Sequence, residues 1–213
     1  MPELSVHVLP PGQRALWDRL QAHAAFLKDQ GYYLAGGSAL ALQIGHRQSL
    51  DFDFFSNRPA LGEPTQHWLE QLGDVVVREF DRDTLHAQVG GVKVSFISAY
   101  RYPTVQPLVE TGGIRLAGLL DIALMKLLAL THRATVRDYL DLAAILRAHM
   151  DLPTILEASR TKYGARFDVM LFLRALVTFS DVEPEFPVLL DRSLQDSWQT
   201  ILREAVKRVA GSP

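Results

Sequence analysis

Apolar positions along this chain recur with two periods, and the period changes once, near residue 119. In the first part, several stretches alternate apolar and polar positions, the signature of half-buried strands. They are SLDFDFF (49–55), DVVVREFDRD (74–83), TLHAQVG (84–90) and VKVSFISAY (92–100). The last three predict an antiparallel meander, with Gly90 and Gly91 as a tight turn. YYLAG (32–36) and IRLAG (114–118) read as short strands, and RYPTVQPLVETGG (101–113) as a connection. Helical spacing runs through residues 12–30, where Leu16, Leu20 and Ala24 share a stripe. SALALQIG (38–45) is a short helix stopped by Gly45, and EPTQHWLEQLG (63–73) a surface helix. Beyond residue 119 every periodic stretch is helical, giving candidates at 119–133, 135–150, 152–164, 166–179 and 197–210. The pattern predicts an α+β fold: a mixed sheet with helices over 1–118, then a helical part over 119–213.

Composition changes this picture little. The 213 residues are 48% hydrophobic and 22% charged, as in ordinary folded proteins. A net charge of -2 excludes a generally basic nucleic-acid binder and leaves room for a local basic patch. The absence of cysteine excludes disulfides and thiolate metal sites. No signal peptide is expected from MPELSVHVLPPGQ, which lacks a basic stretch followed by an apolar one. The most apolar run, LAGLLDIALMKLLAL, is interrupted by Asp121 and Lys126, so it predicts a core helix and no membrane span. The expectation is a soluble, cytoplasmic protein.

The candidate chemistry starts on the strand 49–55. Alternation puts Phe52 and Phe54 on one face and Asp51 and Asp53 on the other. Two such carboxylates repel unless a cation lies between them, and Mg²⁺ commonly takes one or two carboxylates plus substrate phosphates. An isolated Asp-x-Asp also suits a solvated strand face. Upstream, Gly36-Gly37-Ser38 joins a strand to a helix start, where free N–H groups and the positive dipole end attract phosphate. Ser38 is placed to be an N-cap or a phosphate donor. Neither a P-loop nor G-x-G-x-x-G is present, and the run GGSAL lacks the last glycine of a nucleophile elbow. Together, turn and acids suit a nucleoside triphosphate with a divalent cation. In the helical part, Lys126 is surrounded by apolar positions and needs a partner or an anion. Asp138 and Asp141, three apart, share a face, and Arg133 joins them in a candidate cluster. That cluster reads equally as a structural ion-pair network.

GGSALALQIGHRQSLDFDFF (36–55) followed by DIALMKLLALTHRATVRDYLDL (121–142) resembles the AbiEii/AbiGii-type nucleotidyltransferase toxins, relatives of DNA polymerase β. The resemblance spans roughly residues 33–146. It implies a nucleotidyltransferase-type mixed sheet and a helical C-terminal part. It implies Gly36, Gly37, Ser38 and Arg47 as nucleotide-binding, Asp51 and Asp53 as metal-binding and catalytic, and Lys126, Asp138 and Asp141 as catalytic, with Lys126 also on the nucleotide. His46 and Arg47 match the family's HR before the acidic strand. The cofactor implied is Mg²⁺ or Mn²⁺ with an NTP as substrate. The acceptor implied is RNA, tRNA included, or protein, and a neighbouring gene for a winged-helix antitoxin is expected. Such relatives generally carry a third carboxylate on a later strand, whereas the aligned strand here offers Lys93 and Ser95. Two alternatives stay open: a non-catalytic nucleotide-binding module with a degenerate metal site, and a nucleotidyltransferase acting on a small molecule such as an antibiotic. The first 100 residues carry eight basic and eleven acidic side chains, a mild excess that suits a cationic acceptor.

Overall fold

The computed structural model describes residues 4–58, 62–133, 135–180, 182 and 185–211. The chain divides into two compact units, Met1–Gly118 and Leu119–Pro213, each described by itself.

The first unit holds a seven-stranded mixed sheet. Its strands are β1 (Tyr33–Ala35), β2 (Asp51–Phe55), β3 (Val75–Phe80), β4 (Thr84–Val89), β5 (Val92–Ile97), β6 (Val109–Thr111) and β7 (Ile114–Leu116). Their order is β3-β4-β5-β2-β1-β7-β6. The predicted meander is the antiparallel run β3-β4-β5. β2 lies parallel to β5 and antiparallel to β1, so the acidic strand is central and supported on both sides. Phe52, Phe54, Leu85, Val94 and Phe96 are buried at alternate positions and form one apolar face. The helices α1 (Pro11–Ala22), α2 (Ala24–Asp29) and α4 (Glu63–Glu70) contribute the aromatics of this core. Trp17 stacks on Phe52 at 5.9 Å, Phe26 on Trp68 at 4.8 Å, and Trp68 meets Phe96 edge-on at 6.1 Å. These contacts are the physical reason for the phenylalanines between the aspartates.

Two expectations are corrected here. The helix predicted over 12–30 is two helices, broken at His23 (φ -111, ψ 19). At this break the His23 carbonyl accepts a hydrogen bond from the Trp68 indole. The connection predicted over 101–113 contains β6, which pairs with β7 across Gly112 and Gly113, both at positive φ.

The second unit consists of α5 (Leu119–Leu130), α6 (Val136–Ala148), α7 (Leu152–Tyr163), α8 (Val169–Val177) and α9 (Leu194–Ala210). The helices start where the side chains allow. Thr135 caps α6 and Asp151 caps α7, each accepting from a first-turn N–H, and Asp168 does the same for α8. Tyr139 on α6 donates to the carbonyls of Ala175 and Thr178 at the end of α8. Burial, and then the Asp138 charge, push its phenol above the ordinary value, so it stays a neutral donor. Among the described residues no helix is long and apolar enough to cross a membrane.

Candidate functional site

On β2 the buried Phe52 and Phe54 hold the strand against the core, and Asp51 and Asp53 project from the opposite face, half-buried. The register across the neighbours is explicit. Ala35 of β1 and Ser95 of β5 lie level with Asp53, and Lys93 lies level with Asp51. Level positions on adjacent strands share a face, so these groups look out together.

The glycine turn is built against those acids. Helix α3 (Gly36–Ile44) begins directly after β1, with Ala35 as its N-cap and no side chain capping it. Gly36 has φ +66, and a Cβ there would lie 3.0 Å from Oδ2 of Asp53. Only glycine fits both the left-handed backbone and the approach of the carboxylate. A Cβ on Gly37 would lie 2.4 Å from Nη2 of Arg47, a side chain that is 3% exposed. Arg47 donates through Nη1 to the Gln48 carbonyl at 2.8 Å. Ser49 donates to Oδ1 of Asp51 at 3.4 Å. Turn, guanidinium and acids therefore form one packed unit at the edge shared by β1, α3 and β2. An uncapped helix start here offers its N–H groups to an anion.

Ser38 departs from its expected place. It sits in the first turn of α3, not at the N-cap, and is 1% exposed. Its hydroxyl donates to the backbone carbonyl of Asp51 and so ties α3 to the acidic strand. That commitment replaces the expected role as N-cap.

Where relatives would place a third carboxylate, Ser95 stands beside Asp53 and exchanges a 3.0 Å hydrogen bond with Nδ1 of His86 on β4. Sequence reasoning did not single out His86. The period-2 alternation of TLHAQVG already put it on the polar face, but only the strand register brings it to Ser95. Asp81 is a turn residue whose Oδ1 accepts from the N–H groups of Asp83 and Thr84. Among the described residues no group of three or more His, Cys, Asp or Glu side chains could hold a metal ion. Two carboxylates on one strand fit a cation shared with substrate phosphates rather than an all-protein cage.

In the second unit Lys126 of α5 lies between two carboxylates of α6. Its Nζ is 2.6 Å from Oδ1 of Asp138 and 2.8 Å from Oδ2 of Asp141, with those three side chains 11%, 3% and 0% exposed. Thr135 donates to the other Asp138 oxygen at 2.7 Å, and Arg133 approaches it at 3.8 Å. The cluster read from the sequence is thus assembled, with Lys126 paired to both acids. A second buried pair went unread: Lys162 of α7 on Asp121 of α5 at 2.7 Å. The signal available was Asp121 itself, an acid in an apolar helix that needed a partner.

The family model "Nucleotidyl transferase AbiEii toxin, Type IV TA system" matches residues 19–209. An uncharacterized protein of Aquifex aeolicus is 35% identical over 159 residues, covering 72% of this chain and 76% of that one. The nucleotidyltransferase toxin MenT4 of Mycobacterium tuberculosis has the same fold, with TM-score 0.58 and 14% identity over 96% of this chain and 87% of that one. The solution structure of the antibiotic-resistance factor ANT(2'')-Ia is also similar, with TM-score 0.51 and 14% identity over 70% and 89% of the two chains. The expected α+β nucleotidyltransferase fold and the family resemblance are both borne out. With Gly36 packed against Asp53 and Gly37 against Arg47 and Ser49, and the family model running through both units, the chain belongs to the AbiEii nucleotidyltransferase toxin family and is a nucleotidyltransferase.

Proposed function

We propose that this protein transfers a nucleoside monophosphate from an NTP to an acceptor hydroxyl, with Mg²⁺ or Mn²⁺ as cofactor. One observation carries the reading: the uncapped glycine turn at Gly36 and Gly37 packs on the same strand whose Asp51 and Asp53 face outward together. The N–H groups of the turn hold the phosphates, with Arg47 supporting the turn from beneath. Asp51 and Asp53 hold the cation, which when bound supplies charge stabilisation at the phosphates. The acceptor oxygen bonds to the α-phosphorus, the bond to the β-phosphate oxygen breaks, pyrophosphate leaves, and the hydroxyl proton passes to solvent. Lys126, Asp138 and Asp141 are needed for transfer on the grounds of the family resemblance, and the nearly buried pairing of Lys126 with both acids supports this.

The acceptor is RNA, tRNA included, or protein, and a winged-helix antitoxin encoded nearby is the expected partner in the cytoplasm. The test is incubation with Mg²⁺, each labelled NTP, and total RNA or lysate. Label transfer is expected, and transfer that survives Asp51→Ala with Asp53→Ala would refute the assignment. Ser95 in place of a third carboxylate favours a second reading, nucleotide binding without turnover. Binding of NTP with no transfer to RNA, protein or a cationic antibiotic would select it, and transfer to the antibiotic alone would select a small-molecule enzyme.

A further inference from the structure

The face that carries Asp51 and Asp53 does not end at the acids. Two residues on, about 6.6 Å along the strand, Phe55 projects from the same face. Tyr33 of β1 lies level with Phe55, and their rings stack at 6.2 Å. Tyr100 meets Phe55 edge-on at 5.1 Å, Tyr102 meets Tyr100 edge-on at 6.0 Å, and the Arg101 guanidinium lies 5.8 Å over the Tyr102 ring. Phe55, Tyr100 and Tyr102 are each half-buried rather than sealed in the core.

The chain holds Tyr100 there at a conformational cost. Ala99, just before it, has φ +49, alone among the described non-glycine residues at positive φ. The flanking backbone is tied to the end of β2: Ala99 donates to Arg58, Tyr100 donates to Ser56, and Asn57 donates to the Tyr100 carbonyl. A non-glycine residue held in the left-handed region persists where surroundings over-determine it, and such strain gathers at ligand sites.

The order along the strand pair matches the order of groups in a nucleotide. Tyr33 and Phe55 are level at one end, Ala35 and Asp53 follow, and the chain then enters the glycine turn. A triphosphate running from the turn to the acids directs its nucleoside toward Phe55. We propose that the Tyr100 ring, with Phe55 edge-on beside it and Tyr33 and Tyr102 in support, is the stacking platform for the nucleobase of the incoming NTP. This rests on the nucleotide site proposed above. Stacking on an aromatic face tolerates every base, so the platform confers affinity with little choice among the four NTPs.

The test is calorimetric titration of the full chain with the four Mg²⁺–NTPs and with Mg²⁺–tripolyphosphate, which has the phosphates and no base. Tyr100→Ala is expected to weaken all four NTPs roughly tenfold and to leave tripolyphosphate unchanged. Tyr100→Phe keeps wild-type affinity, and Tyr100→Leu, which retains apolar bulk, loses what Tyr100→Ala loses. Wild-type NTP affinity in both Tyr100→Leu and Tyr100→Ala overturns the platform, as does an equal loss for tripolyphosphate. A loss confined to a single-stranded oligoribonucleotide titrated without NTP overturns it in favour of an acceptor base. If the wild-type chain binds neither NTP nor tripolyphosphate, the nucleotide site itself falls. If it binds both equally, only the platform does.

Discussion

Replacing Gly37 by alanine sets two terms against each other. Alanine favours the helix over glycine by about 1 kcal/mol. Against this, the new Cβ would lie 2.4 Å from Nη2 of Arg47 and 3.1 Å from Oγ of Ser49. Ordinary contact needs the guanidinium to retreat by about 1 Å, and Arg47 is 3% exposed with Nη1 committed to the Gln48 carbonyl at 2.8 Å. Loss of a hydrogen bond from a charged group costs about 1.5–3 kcal/mol. The net is a loss of about 0.5–2 kcal/mol. In an Arg47→Ala background the clash is gone and only a few tenths from Ser49 remain, so Gly37→Ala becomes neutral or stabilising. The coupling between the two changes is therefore about 1.5–3 kcal/mol. Urea unfolding followed by tryptophan fluorescence measures it, in a Trp198→Phe background so that only Trp17 and Trp68 of the first unit report. Gly36→Ala is the control: its φ of +66 costs about 1–2 kcal/mol whether or not Arg47 is present. A Gly37→Ala loss of the same size in both backgrounds would refute the packing argument.

Three further outcomes follow from the geometry. Lys126→Met leaves Asp138 and Asp141 buried without their ammonium, so the second unit should lose about 3–5 kcal/mol, with partial recovery in Lys126→Met/Asp138→Asn/Asp141→Asn; differential scanning calorimetry reads both. Ser95→Asp adds a carboxylate level with Asp53. Its melting temperature should fall without metal and rise with Mn²⁺ by more than the wild type's; a response no larger shows that position 95 does not reach the space the two acids share. Asp151 is held below the ordinary carboxylate value first by the Thr154 side chain and then by its N–H. A depressed carboxylate stabilises above the unfolded value of 3.8 and loses that contribution as pH falls through the folded one. Asp151→Asn should flatten the acid limb of the stability profile below about pH 4, measured by thermal melts from pH 3 to 6.

What could be read in the sequence was whatever depends on short spacing. β2, β4 and β5 announce themselves because one face is apolar at every second residue, and the five helices of the second unit because apolar positions return every three or four. The hairpin of β6 and β7 was hidden by prolines nearby, although Gly112 and Gly113 are the residues its turn requires. The hydrogen bond at the His23 break comes from an indole 45 residues away, and the partner of Asp121 is a lysine 41 residues away. Neither leaves a local trace. At the site, the glycine turn and the acids could be read as neighbours. That Gly37 lies on Arg47, and that Ser38 spends its hydroxyl on the Asp51 carbonyl, needs the loop between α3 and β2 to be folded.

That the described positions level with Asp51 and Asp53 on β1 and β5 carry no third carboxylate has an electrostatic consequence for the proposed site. Asp51 and Asp53 bring two negative charges to this face, Lys93 stands level with Asp51, and Arg47 lies under the adjoining turn. Two carboxylates, one ammonium and one guanidinium cancel. A divalent cation approaching this stretch alone gains little from the field of the site while giving up part of its hydration. A triphosphate approaching alone meets N–H groups and Arg47 but also two carboxylates. Cation and triphosphate together remove both conflicts, since each carries the charge the other lacks. The proposed site is therefore suited to taking the metal and the nucleotide as one complex. A third acid at position 95 would shift that balance toward holding the metal in advance.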